Sequence, residues 1–433
     1  MILQILIILL TARALAFLLR RVGQPPVIGE MAAGFVLGPI LFGSLLPEWQ
    51  LQIFAPDSLR EVNALGQLGL IFFMFLIGVE LRISKHDIAQ RFPHGAAPVI
   101  TRDTRRPWRD SLRLAALSVL LPMMTGLALA PFLHPAMAPP GVTFWPFALF
   151  IGTALSVTAL PVLARILKER NLVDSAPGQL ALSAAALGDV IAWLMLAAVL
   201  SISVATSGQL GHGSSDGTGA GIGMAGLGNV ALLLPFGAFI FGVLRPWLAR
   251  MFCATTAAVP LGSIALLLMG ALLSSWLTEY LQVHAAFGAF IFGLCLPRND
   301  HLLAELRRRV EPLVLMVLMP CFFAYAGLST SGQAFAATGI AVMLLILGAA
   351  VVGKIIAGTL GARLARLSWR ESLMVGAMMN TRGVVELLFL TVGLDAGLIS
   401  KELYTLLFAT ALITTLMTTP LLSYLLRGQK SLV

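Results

Sequence analysis

The chain has 433 residues, of which 58% are hydrophobic and only 11% charged, and it carries a formal net charge of +9. A soluble globular domain has about 25% charged residues, so a water-solvated enzyme or binding module is excluded. Many apolar runs of about 20 residues, each long enough to cross a hydrocarbon core of roughly 30 Å, predict an all-α polytopic membrane protein.

The first run, MILQILIILLTARALAFLL, is apolar from its first residue, and its positive flank, Arg20 and Arg21, comes after it. That reverses the charge order of a signal peptide and predicts a retained first transmembrane helix. Further runs bring the expected total to thirteen spans, near 1–19, 27–46, 63–81, 113–132, 146–166, 178–204, 226–247, 258–277, 283–297, 312–328, 335–360, 371–392 and 402–426. The connections between them alternate. Arg20 and Arg21 are followed by a connection with only Arg60, then by a basic stretch over 82–112, then by 133–145 with no Lys or Arg. Arg165, Lys168 and Arg170 precede a neutral Gly/Ser loop at 205–225, and Arg245 and Arg250 precede 278–282 with Glu279 alone. Arg298 and Arg307 to Arg309, then Arg363, Arg366 and Arg370, then Arg427 and Lys430 continue the pattern. Basic loops stay in the cytoplasm, which predicts an N-terminus outside and a C-terminus inside. The positive excess then lies beside anionic headgroups and requires no nucleic acid.

Residues 221–226 place Gly221, Gly223 and Gly226 in a G-x-G-x-x-G spacing. A dinucleotide fingerprint needs a strand before it and a helix after it, whereas this run joins two spans on the outer side, so a flexible linker is expected. The cysteines, Cys253, Cys295 and Cys321, have no metal-ligand spacing and read as packing residues. No cofactor and no resident metal are expected. Residues 1–426 are expected to form one transmembrane unit and 427–433 a short cytoplasmic tail, with no nucleotide-binding domain expected.

Four ionisable residues interrupt the apolar spans: Asp189 in LGDVIAW, Lys354 in VVGKIIAG, and Arg382 and Glu386 in NTRGVVELL. Each costs roughly 2.5–3.5 kcal/mol at a membrane helix centre, on the order of 10 kcal/mol together. Arg382 and Glu386 are four residues apart on one helix and can pair, so a structural strut is as good a reading as substrate contact. Asp189 and Lys354 have no partner nearby in sequence. A buried ion pair between their two helices is the plain reading, but intramembrane ionisable groups are functional sites by default. Glu80 and Glu279 fall at span ends, where an interfacial role is expected.

Two spans are also broken. FIGTALSVTALPVLARILKER is interrupted at Ser156, Thr158 and Pro161, and SLMVGAMMNTRGVVELL at Asn380, Thr381 and Gly383. Non-helical backbone at bilayer depth is tolerated where it lines a cavity or is buried in protein. The breaks lie in spans five and twelve, an odd offset, so the two run in opposite directions as inverted-topology repeats require. Spans four to six and eleven to thirteen form two matched triplets, with Asp189 and Lys354 each beside a broken helix. That arrangement predicts a secondary transporter.

The stretches SVTALPVLARILKE, GDVIAW, HAAFGAFIFGL, GKIIAG and MNTRGVVEL resemble the signature segments of the monovalent cation:proton antiporter-2 family. They are nearest to its plant cation/proton exchanger branch and similar also to Kef-type and NapA-type antiporters. The resemblance implies a sodium/proton antiporter-like fold and a homodimer. It also implies a core that moves like an elevator (spans near 113–204 and 335–426) against a scaffold (near 1–81 and 226–328). It assigns Asp189 to the ion-binding aspartate, Thr158 to the unwound part of span five, Lys354 to the basic residue of span eleven, and Asn380, Thr381, Arg382 and Glu386 to the span-twelve break. Many relatives carry Asn, Gln or Asp just before the aspartate, and here Gly188 takes that place. Gly34 and Gly38 in span two have the G-x-x-x-G spacing of close helix packing.

The function expected is exchange of a monovalent cation, K+ or Na+, for protons across a membrane, with a bacterial inner membrane as the expected location. Burial drives a carboxyl group toward its neutral form and a nearby cation drives it toward the ionised form, so Asp189 can hold a proton or a metal ion but not both. Lys354 would hold the empty carboxylate, and Ser156, Thr158 and backbone carbonyls at the breaks would complete the oxygen shell. A cation channel or uncoupled uniporter could line a pore with the same groups, although inverted broken helices favour alternating access. An intramembrane aspartyl protease needs a second mid-span aspartate and the G-x-G-D pattern, and the chain has neither.

Overall fold

The structure is a computed structural model describing residues 1–80, 107–173, 175–207, 235–252, 260–281, 285–297 and 300–427, and every regular element among these is helical. The glycine run at 221–226, Cys253, Arg298 and nearly all of the basic stretch at 82–112 lie outside the described residues. The helices that matter here are α1 (Ile2–Arg21), α2 (Pro26–Leu37), α3 (Pro56–Glu80), α4 (Pro107–Met137), α5 (Phe144–Ser156), α6 (Leu160–Glu169) and α7 (Ala176–Ser207). They are followed by α8 (Arg245–Phe252), α9 (Leu261–Tyr280), α10 (Ala285–Cys295), α11 (Asp300–Arg309), α12 (Met319–Leu328), α13 (Ala337–Leu364), α14 (Trp369–Met379), α15 (Val384–Asp395) and α16 (Lys401–Leu426).

Among the described residues, nine helices are long and apolar enough to cross a membrane, or ten if the bent pair α14 and α15 counts as one span. The difference from the expected thirteen has identifiable sources. The fifth span is split into α5 and α6, the ninth is the short apolar α10, and the seventh is described only from residue 235.

Packing divides these helices into two groups. In one, α1, α2, α3, α9, α10 and α12 lie against each other; in the other, α4, α5, α7, α13 and α14 do, with α6, α15 and α16 attached. Small residues set the closest crossings. A Cβ on Gly34 would lie 2.0 Å from the carbonyl oxygen of Phe323, and one on Gly327 would lie 1.9 Å from that of Gly34. The G-x-x-x-G face of α2 is thus pressed backbone to backbone against α12. In the second group Gly126 meets Gly152 where α4 crosses α5, and Gly358 meets Gly376 where α13 crosses α14. In lipid, such close approach supplies the van der Waals contact that holds helices together.

Side-chain exposure matches an apolar solvent. Leu6, Leu10 and Phe17 on α1, Met269 and Leu273 on α9, and Leu344 and Val352 on α13 face outward. Six of the seven tryptophans are exposed, at helix ends: Trp108, Trp247 and Trp369 on the side of the basic connections, Trp49, Trp145 and Trp276 on the other. Aromatic belts of this kind mark the two membrane–water interfaces.

Contacts between connections follow the sidedness that the charge alternation requires. Gln4 near the N-terminus donates to Ile53 O and Ser58 Oγ at 2.6 Å, in the expected second loop on that side. Ser331 N donates to Thr405 Oγ1 at 2.8 Å, joining two more of the non-basic connections. On the opposite side Arg370 donates to the carbonyls of Leu425 and Arg427, at 2.8 and 2.6 Å.

Candidate functional site

The site is assembled where two interrupted helices cross. α5 stops at Ser156, the residues Val157 to Ala159 are extended, and α6 begins at Leu160. Pro161 is therefore the second residue of α6, where its missing N–H removes no helical bond. Proline starts the second half-helix here and does not itself break the first. α14, opened by a capping box between Ser368 and Glu371, ends at Met379, and α15 resumes at Val384 with a 41° bend. The two interruptions touch: Ala159 N donates to Thr381 O at 3.0 Å. Gly383 lets them approach, since a Cβ there would lie 2.6 Å from Val162 Cγ2.

A helix interrupted at bilayer depth leaves its last carbonyls unpaired and carries partial negative charge at that end. Two cations meet this demand at the end of α5. Arg382 donates to Ala154 O at 3.3 Å and to Leu155 O at 2.9 Å. Lys354 Nζ donates to Ser156 O at 2.5 Å, to Ser118 O on α4 at 3.1 Å, and to Thr158 Oγ1 at 2.6 Å. All three ammonium protons therefore have oxygen acceptors, and Lys354 is fully buried.

The expected pair Arg382 and Glu386 forms, fully buried, within one turn of the start of α15. Glu386 also stands in the first turn of α15, where the helix dipole favours an acid. Thr415 on α16 brackets Arg382 from the other side: its Oγ1 accepts from Arg382 N at 3.1 Å and lies 2.8 Å from Arg382 O. Asn380 Nδ2 donates to Thr414 O at 3.3 Å, and Thr381 Oγ1 to Met378 O at 2.8 Å.

Asp189, in the middle of α7, is 2% exposed, and its Oδ1 is buried without a hydrogen-bond partner. Lys354 is the charged group that acts on it electrostatically, yet no ion pair joins the two, because the ammonium is spent on Ser118, Ser156 and Thr158. Beside the aspartate, Gly188 leaves open space: a Cβ there would meet nothing within 4 Å. Ser156 Oγ lies 2.8 Å from both Val119 O and Gly152 O, so its hydroxyl proton is committed to backbone and its lone pairs remain. Thr158 Oγ1 accepts from Lys354 and directs its own proton toward Met379 O at 3.5 Å. Glu279 is exposed at the end of α9, and Glu80 closes α3.

The structure thus brings Thr158, Ser156, Lys354, Asn380, Thr381, Arg382 and Glu386 into one continuous polar seam, with Asp189 nearby but not hydrogen-bonded into it. Sequence reasoning did not find Ser118, whose contribution is a backbone carbonyl; the signal was Pro122, four residues on in α4, which has no N–H to give it. It also passed over Thr414 and Thr415. A signal existed for these: Thr410, Thr414, Thr415, Thr418 and Thr419 crowd about three turns of a membrane helix, and all are buried.

Comparison with known proteins gives this arrangement a context. Residues 5–428 match the family described as sodium/hydrogen exchanger, transmembrane. The chain is 34% identical over 427 residues to the Na(+)/H(+) antiporter NhaS4 of Synechocystis sp., covering 96% of this chain and 95% of that protein. It is 34% identical to the Cation/H(+) antiporter 17 of Arabidopsis thaliana, over all of this chain and 49% of the relative. It is 33% identical to the K(+)/H(+) antiporter 1 of Saccharomyces cerevisiae, over 96% of this chain and 45% of the relative. The chain therefore spans about half the length of the plant and yeast proteins and nearly the whole of the cyanobacterial one. In fold it resembles the sodium proton antiporter MjNhaP1 from Methanocaldococcus jannaschii, with a TM-score of 0.58 at 18% identity, covering 97% of this chain and 94% of that one. A sodium/proton antiporter-like helical fold, a polar crossing of two broken helices and a family match across almost the full sequence lead to one conclusion: the chain belongs to the transmembrane family of sodium/hydrogen exchangers.

Proposed function

We propose that this protein exchanges a monovalent cation, K+ or Na+, for protons across a membrane by alternating access, with Asp189 as the group that carries either one. The observation that carries this reading is Asp189 itself: a buried carboxyl group whose Oδ1 has no partner, next to the crossing of two broken helices. A carboxyl oxygen without a fixed partner has a lone pair free for a proton or for a cation, and one excludes the other.

Lys354 enters this exchange through the oxygens it occupies. Its ammonium sits among Ser118 O, Ser156 O and Thr158 Oγ1 at 2.5–3.1 Å, a set of hard oxygen donors suited to a monovalent cation. A transported ion that binds Asp189 competes with the ammonium for Thr158 and Ser156, so the lysine holds the shell together while no cation is present. Arg382 and Glu386 stabilise the crossing, with Asn380 and Thr381 fixing its backbone.

In this reading α4–α7 and α13–α16 form the moving core, and α1–α3 and α9–α12 form the scaffold through which two copies pair as a homodimer. The charge alternation supports an N-terminus outside and a cytoplasmic C-terminus, in a bacterial inner membrane.

The test is transport in everted membrane vesicles with a pH-sensitive dye, adding K+, Na+, Li+ and Rb+ in turn. Proton movement on addition of one or more of these ions, persisting when the membrane potential is clamped, is the expected result. Cation flux with no coupled proton movement would instead identify an uncoupled pathway.

A further inference from the structure

Away from the crossing, a cavity of about 510 Å³ opens where the turn between α1 and α2 meets the end of α6. It is lined by Arg20, Gly23, Gln24, Pro26, Arg165 and Arg170. Three guanidinium groups converge on it, and no carboxylate is among the lining residues. The local backbone is shaped for this. Gly23 has φ +74°, and its backbone lies under Arg170, whose Nη2 would stand 3.7 Å from a Cβ at that position. Asn171, just after Arg170, is one of only two non-glycine residues with positive φ among the described residues, and it turns the chain away at the cavity's edge. Glu30, buried on α2, is 3.9 Å from Arg13 and is acted on by Arg165. Gln24 is 7% exposed; its Nε2 donates to Leu416 O at 3.1 Å, and its Oε1 is buried with no partner.

Part of this is explained by helix ends, since Arg20 stands in the last turn of α1, where a cation is favoured. Arg170, one residue past the end of α6, is favoured in the same way, but helix ends do not by themselves bring three guanidinium groups around one cavity. Guanidinium groups present planar forks that match phosphate oxygens two at a time, and basic pockets between helices at the cytoplasmic surface suit anionic headgroups. We propose that this cavity binds a phosphate-bearing anion, held by Arg20, Arg165 and Arg170, whose source is the headgroup of an anionic phospholipid or free phosphate. Gln24 Oε1 adds a buried acceptor beside the guanidinium groups, open to a hydroxyl of a protonated phosphate or of a headgroup. The occupant touches α1–α2 on one side and α6 on the other, so it bridges the two helix groups. This assignment is independent of the transported ion.

The test uses the purified full chain in detergent, with native mass spectrometry and thermal unfolding. The probes are dioleoylphosphatidylglycerol, dioleoylphosphatidylcholine and inorganic phosphate. The expected result is retention of phosphatidylglycerol over phosphatidylcholine, with a raised melting temperature, both lost in Arg20→Gln/Arg170→Gln. That pair leaves Arg165 to act on Glu30 and so keeps the fold, and it should weaken binding about tenfold or more, since hydrogen bonds to charged groups are strong. Arg245→Gln/Arg250→Gln, on the same face but outside the cavity, should keep full retention. A melting shift with inorganic phosphate as large as with the lipid would assign the site to phosphate itself; a shift with the lipid alone assigns it to the headgroup. Equal loss of retention in both arginine pairs, or no preference for phosphatidylglycerol in the parent protein, would overturn the proposal.

Discussion

At the residue scale, Asp189 and Lys354 divide between them what a simple ion pair would have combined. Asp189→Asn keeps the shape of the side chain, removes a buried charge and cannot cycle a proton. Cation-driven proton movement should fall to background in vesicles while expression and melting temperature stay at or above parental values; parental exchange rates would remove Asp189 from the mechanism. Thr158→Ala tests the oxygen shell. It deletes one of the three acceptors of the Lys354 ammonium and one candidate ligand, so the half-saturating cation concentration should rise several-fold while the maximal rate changes less. Lys354→Ala removes the donor to Ser156 O, Ser118 O and Thr158 Oγ1 together. Buried acceptors left unpaired cost about 1–3 kcal/mol each, so melting temperature should drop clearly, and Lys354→Arg, which keeps the charge with a different shape, should drop less. The identity of every one of these residues was legible from charge and hydroxyl placement in otherwise apolar spans. Their connections were not. The sequence pairs Asp189 with Lys354 by elimination, whereas the lysine's partners are two carbonyls and a hydroxyl at separations of 196 to 236 residues, which periodicity cannot join.

At the scale of the element, the two breaks were legible for different reasons. Asn380, Thr381 and Gly383 mark the gap between α14 and α15 directly, and the gap falls there. In span five the proline signal pointed slightly late, because Pro161 opens α6 and the extended residues are Val157 to Ala159. The cost of each gap is met by side chains from elsewhere: Arg382 and Lys354 cap α5, and Thr415 braces the gap after α14. The Arg382 and Glu386 pair is therefore part of a wider network. Glu386→Gln leaves a buried guanidinium without its counter-charge, a loss of about 3–5 kcal/mol. In Arg382→Met/Glu386→Met neither member of the pair is left without its counter-charge, so the combined loss, read from tryptophan-monitored unfolding, should be smaller than the sum of the single substitutions. A strictly additive result would show that the two side chains act independently. The α2–α12 crossing makes a separate prediction. Gly327→Val places a side chain where even a Cβ falls 1.9 Å from Gly34 O, so the backbones must separate. Overpacking costs typically 1–3 kcal/mol, and the melting temperature should fall accordingly. The Gly34 and Gly38 spacing signalled half of this crossing; its partner Gly327, in MPCFFAYAGL, carries no such motif.

At the scale of the whole molecule, loop charge groups the connections, and the observed contacts between connections agree with that grouping. What hydropathy could not supply is the division into two packed groups, since lipid-facing and protein-facing apolar residues look alike in a sequence. That division matters for transport. A carrier that alternates access by moving α4–α7 and α13–α16 against α1–α3 and α9–α12 must slide along their common boundary, and Gln24 Nε2 to Leu416 O, at 3.1 Å, is one contact that crosses it. Tying the two sides there should stop exchange without touching the ion site. With Cys253, Cys295 and Cys321 replaced by alanine, Gln24→Cys/Leu416→Cys treated with a short reducible bis-thiosulfonate should lose cation-driven proton movement in proportion to the linked fraction. Reduction should restore it, because nothing but the relative motion of the groups has been constrained. Each single cysteine variant, treated identically, should keep its rate. If fully linked protein exchanges as fast as the reduced form, the two groups do not move past each other at this boundary, and access must alternate through a rearrangement confined to the crossing of α5–α6 with α14–α15.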